Sequence, residues 1–92
     1  MILHYNIKPS PKAWHGLRHL AVFYLTECDS SELAKIAKIA TETIDSSIGT
    51  VYYMDWDFLS GIGTIRIESQ MGCEIQALRD ACDKILTNIK NN

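Results

Sequence analysis

From Ile2 to Lys8 the chain alternates, with Leu3, Tyr5 and Ile7 on one side and His4, Asn6 and Lys8 on the other. That period of two predicts a half-buried strand, which Pro9-Ser10-Pro11 ends. Leu20 to Thr26 is rich in β-branched and aromatic residues and is apolar on both sides, as in a central strand covered on both faces or lying at an interface. The same segment has a competing helical reading, opened by Ser10-Pro11 and carrying Trp14, Leu17, Ala21 and Leu25. The strand, starting near His19, is preferred.

Asp29 and Glu32 have the spacing of a capping box and precede Leu33, Ile36, Ala37, Ala40 and Ile44, which predicts a helix. Ser46-Ser47 marks its end, with Gly49 available for a left-handed exit. Residues 50–68 then read as a hairpin. Tyr52, Met54, Trp56 and Phe58 share its inward face, and Val51, Tyr53, Asp55 and Asp57 face out. Ser60-Gly61 supplies the turn, after which Ile65 and Ile67 alternate with Thr64, Arg66 and Glu68. Ile75, Leu78, Cys82, Ile85 and Ile89 form the stripe of a last amphipathic helix.

The order ββαββα predicts one α+β domain over residues 1–92, frayed in its last few residues. Its antiparallel four-stranded sheet would carry two helices on one face, a permuted ferredoxin-like sandwich. If residues 11–26 are helical instead, the order becomes βααββα and the sheet has three strands. The architecture hosts too many functions to name one.

At 92 residues folding removes only about 60–65% of the unfolded chain's surface from water, so a single core with little spare stability is expected. The longest apolar run, Leu20 to Leu25, is far shorter than the roughly 20 residues of a membrane span, and the N-terminus has no signal-peptide pattern. A cytoplasmic location is the default expectation. Cys28, Cys73 and Cys82 lack any paired spacing, so reduced thiols fit better than a disulfide or zinc framework.

The net charge of −2 hides a gradient. Residues 1–28 carry Lys8, Lys12 and Arg18 against Glu27, whereas residues 29–57 carry Asp29, Glu32, Glu42, Asp45, Asp55 and Asp57 against Lys35 and Lys38. The basic loop Lys8, Lys12, Trp14, His15, Arg18 and His19 is the most site-like stretch for an anion, since its cations could meet phosphates while Trp14 stacks. The plainer reading has Trp14 closing the core and the cations solvated. His15 and His19 are four apart, but Gly16 between them weakens a helix, and no third metal ligand is at hand beyond His4, Asp55 or Asp57. No metal or cofactor is expected.

Asp55 and Asp57 project from one strand face roughly 7 Å apart. Acid–base work at neutral pH would need one of them buried, and alternation puts both outside. With Tyr53, Arg66 and Glu68 they compose instead a sheet face suited to a protein contact. That face is expected to be net acidic and short of aromatics, which disfavours RNA.

The expectation is a non-enzymatic interaction module: a small cytosolic regulator or inhibitor, of the sort found in phage and mobile elements, covering a partner protein's surface through Tyr53, Asp55, Asp57, Arg66 and Glu68. A homodimer is its simplest form. Two alternatives stand beside it. One is a small dimeric ferredoxin-like enzyme with a pocket between sheet and helices, and the other is anion or nucleic-acid binding by the basic loop.

Overall fold

The computed structural model describes residues 2–9 and 18–91. Four strands and two helices follow one another as β1 (Ile2–Pro9), β2 (His19–Thr26), α1 (Ser30–Thr43), β3 (Gly49–Asp57), β4 (Ile62–Ser69) and α2 (Ile75–Lys90). Residues 19–26 form a strand, so the three-stranded alternative falls. The sheet runs β1-β2-β4-β3, antiparallel throughout, and β2 and β3, joined by α1, flank β4 as a split β-α-β unit. No helix among the described residues is long and apolar enough to cross a membrane.

Register explains the core. Tyr5 lies opposite Phe23, Phe23 opposite Ile65, and Ile65 opposite Met54, and the adjacent row joins Ile7, Ala21, Ile67 and Val51. Onto this face α1 delivers Leu33, Ile36, Ala37 and Ala40, and α2 delivers Leu78, Cys82 and Ile85, all in one buried cluster. Both helices therefore cover the same side of the sheet.

The start of α1 carries the expected capping box, with Asp29 accepting from the Glu32 N–H at 2.8 Å and Glu32 accepting from the Asp29 N–H at 3.2 Å. Its end comes earlier than expected. Ile44 caps it in extended conformation, and Gly49 opens β3 without a positive φ. Between β2 and α1 the chain turns sharply through Glu27, whose φ of 56° is left-handed.

Hydrogen bonds fasten the periphery. Tyr5 on the edge strand β1 donates its hydroxyl to Asp83 on α2 at 2.6 Å. At the other edge the Trp56 indole donates to the Cys28 carbonyl at 3.0 Å, while the Cys28 N–H donates to the Gly61 carbonyl at 3.2 Å. The β2–α1 connection is thereby stitched to the tip of the β3–β4 hairpin.

Where α1 meets β4 the fit is tight. A Cβ on Gly63 would stand 2.9 Å from Leu33 Cδ1 and 3.2 Å from Cys28 Sγ, both buried groups. Gly63→Ala is expected to cost about 1–3 kcal/mol by overpacking. A fall in the urea midpoint at unchanged slope would register it.

Burial, then the bond to Asp83, pushes the Tyr5 phenol up from 10.0 to about 12. The folded chain holds that proton more tightly than the unfolded chain. The stabilisation is therefore whole below pH 10 and fades as the pH rises towards 12. Burial acts likewise on the Cys82 thiol, raised from 9.0 to about 12. Tyr5→Phe should lose about 1 kcal/mol below pH 10 and converge on the parent near pH 12, as followed by denaturant titrations across that range.

Candidate functional site

A β-bulge sets the candidate surface. Val51 pairs with Ile67 and Tyr53 with Arg66, so Tyr52 is an extra residue on β3. The bulge reverses which residues point inward on its two sides. Val51, expected outside, packs on the core, and beyond the bulge Met54 and Trp56 take the helix side while Tyr53 and Asp55 take the open side. The expected inward set is corrected accordingly. Tyr52 is 45% exposed, Met54 on its edge strand is 51% exposed, and Phe58 at 78% has left the strand for the turn. Only Trp56 of the four packs against the core.

On the open face three cross-sheet rows can be read from the register. They are His4-Tyr24-Thr64-Asp55, Asn6-Val22-Arg66-Tyr53 and Lys8-Leu20-Glu68-Thr50. His4 stacks on Tyr24 with ring centres 5.2 Å apart. The apolar strip expected at Leu20 to Leu25 does not reach solvent. Leu20 and Val22 point to this side but are only 3% and 2% exposed within the chain itself. Nor is the face one-sided in charge, because Lys8, Arg18 and Arg66 offset Asp55, Asp57 and Glu68.

The five expected partner-binding residues divide into two groups. Asp57 and Glu68 are engaged internally: Asp57 accepts from the Leu59 N–H at 3.0 Å to shape the turn, and Glu68 pairs with Arg18 at 2.8 Å. Tyr53, Asp55 and Arg66 face outward, with the Arg66 guanidinium 4.8 Å from the Tyr53 ring centre. Neither Arg66 nor Asp55 forms an ion pair among the described residues.

Of the basic loop, Lys12, Trp14 and His15 lie outside the described residues. Lys8 is exposed at the end of β1, Arg18 is taken by Glu68, and the His19 backbone N–H donates to Ser69 Oγ at 2.9 Å. His4 and Asp55 end one row three strand spacings apart, roughly 14 Å, too far to share an ion. Among the described residues no three of His, Cys, Asp and Glu gather closely enough to hold a metal.

The centre of the space between sheet and helices is filled by Phe23, Leu25, Ile65, Ile67, Leu78 and Ile85. Clefts open at its margins, one of about 220 Å³ between the end of α1 and β3, lined by Thr41, Ile44, Gly49 and Val51, and one of about 340 Å³ beside the start of α2, bordered by Ser47, Gln70 and Cys73. Cys73 donates its thiol to the Glu74 carbonyl at 3.4 Å. Burial raises the thiols of Cys28 and Cys82, which disfavours the reactive thiolate.

Sequence reasoning missed Tyr52, Met54, Phe58 and Leu59 as exposed apolar groups. Strict alternation assigned Tyr52, Met54 and Phe58 to the core. The signal for Phe58 and Leu59 was Asp57 followed by Ser60-Gly61, which predicts a turn whose central side chains point to water. Comparison of the chain with protein-family models, with curated proteins and with solved structures finds no match.

Hydrogen bonds from the Ser60 hydroxyl and then the Leu59 N–H hold the Asp57 carboxyl below its ordinary value of 3.8. A depressed carboxylate stabilises above its unfolded pKa, and that contribution is lost as the pH falls through the folded value. Asp57→Ala should therefore melt lower than the parent at neutral pH. The gap should close below pH 3.8 in paired thermal scans.

Proposed function

We propose that this chain is a non-enzymatic protein-interaction module that covers a partner surface with its β3–β4 hairpin. One observation carries the reading. Of the eight exposed large apolar residues among the described ones, six (Tyr52, Tyr53, Met54, Phe58, Leu59 and Ile62) lie on this hairpin. Single apolar residues scattered over a surface are ordinary, whereas six gathered on one hairpin, on both of its faces and its tip, favour a contact site there.

The chemistry of the patch suits that role. Tyrosine, methionine and arginine are enriched at interfaces because they offer large contact area together with polar reach. Phe58 meets Trp56 edge to face with ring centres 5.9 Å apart, and the Trp56 indole is tied to the Cys28 carbonyl. The exposed tip is thereby mounted on a rigid base, which lowers the ordering cost of binding. Acting by coverage, such a module would regulate or inhibit a partner without transforming a substrate.

Affinity capture from the native host, followed by mass spectrometry, tests the reading. Tyr53→Ala combined with Leu59→Ser should remove the captured partner and leave the thermal melt of the module nearly unchanged. The pair Lys12→Glu and Arg18→Glu should retain it. Capture surviving the hairpin changes and lost with the loop changes would transfer the site to the basic loop.

A further inference from the structure

We infer that the hairpin's partner is a second copy of this chain, joined edge to edge through β3 so that two four-stranded sheets become one of eight. The inference rests on the reading of the hairpin as a contact surface and names its occupant.

The two edges of the sheet are not alike. An exposed edge strand offers unpaired backbone donors and acceptors, and monomeric proteins blunt such edges with lysine, proline or a bulge. β1 ends in Lys8-Pro9, and Pro9 has no N–H to offer. β3 is nine residues long and carries neither lysine nor proline. Its bulge lies at Val51/Tyr53, which leaves Tyr53 to Asp57 regular.

Charge and face then select one arrangement. Opposed residues of an antiparallel pair share a face, so β3 can meet itself only with a residue on the two-fold axis. Asp55 on the axis would set two carboxylates against each other. Tyr53 on the axis would run the pairing across the bulge. Met54 on the axis opposes no like charges and keeps Tyr53 to Asp55 in regular pairing, meeting the bulge only at its margin, with Met54 against Met54 on the helix side and the second copy's Trp56 beside Tyr52. On the open side it places the second copy's Asp55 directly opposite Tyr53, with Cβ atoms about 5 Å apart. The Arg66 guanidinium already leans over that Tyr53 ring, 4.8 Å from its centre. Two-fold symmetry makes this contact twice, pairing two cations and two carboxylates that have no ion partner among the described residues of a single chain.

Sedimentation equilibrium of the full chain over a wide concentration range tests the proposal. The expected species is a dimer of twice 10.4 kDa. Asp55→Arg and Arg66→Asp should each raise the dimer dissociation constant by about tenfold or more, and the two together, which exchange the charges, should restore it. Met54→Lys sets two ammonium groups on the axis and should give a monomer. That position is half exposed, so the variant keeps the test usable if Arg66→Asp fails to fold. A monomer at every concentration overturns the inference, as does a dimer indifferent to Met54→Lys. Two weakened single variants without rescue in the double overturn the Arg66–Asp55 pairing. A monomeric parent that still captures another protein through Tyr53 and Leu59 would sink the self-association alone and leave the interaction reading standing.

Discussion

The packing of α1 against β4 at Gly63 is the constraint on which the other contacts depend. Leu33 and Cys28 approach the sheet so closely there that no side chain fits on the strand beneath them. This approach seats α1 over β4 and β3 while α2 lies over β2, and beneath the two helices Phe23, Leu25, Ile65 and Ile67 lose essentially all contact with water. The edges receive less cover and are held by polar links, Tyr5 to Asp83 on one side and Trp56 to the Cys28 carbonyl on the other. A half-covered edge is the outcome on β3, and its exposed apolar group follows from that position.

The same geometry sorts the charges of the open face by availability. Glu68 is paired with Arg18 and Asp57 is spent on the turn that follows it. Arg66 and Asp55 lie on adjacent strands near the free edge, with Tyr53 between the guanidinium and the edge. Cation and carboxylate are thus presented together, a pattern suited to a surface that carries its own complement. Burial of Leu20 and Val22 within the chain removes the apolar centre that a face-to-face contact would use.

Much of the fold was legible in the sequence because its signals are local. Alternation over residues 2–8, the Asp29/Glu32 cap and the 3-4 spacing of Leu78, Cys82 and Ile85 each depend on a few neighbouring residues, and each element appears where those signals lie. The bulge is different in kind. Nothing in Val51-Tyr52-Tyr53 announces an extra residue, since it arises from fitting β3 to Ile67 and Arg66 on its neighbour. One unpaired residue was enough to move Val51 inward, and the edge position left Met54 half exposed. That Leu20 to Leu25 is apolar on both sides was legible, yet the burial of Leu20 and Val22 on the open face depends on the assembled chain and on no local pattern. The candidate site was therefore legible as a hairpin, with three outward residues, Tyr53, Asp55 and Arg66, named; the turn chemistry held a signal for Phe58 and Leu59, while the exposure of Tyr52 and Met54 follows from the bulge and the edge position in three dimensions.

The central pairing of β2 with β4 has a kinetic side. β1 with β2 and β3 with β4 are hairpins whose strands are near neighbours in the chain, but the seam between them joins residues as far apart as Arg18 and Glu68, 50 positions distant. Closing so long a loop costs entropy before any contact across the seam repays it. The topology thus makes this seam the pairing with the longest loop to close, and without it the β3–β4 hairpin lacks the neighbour that covers one edge of β4.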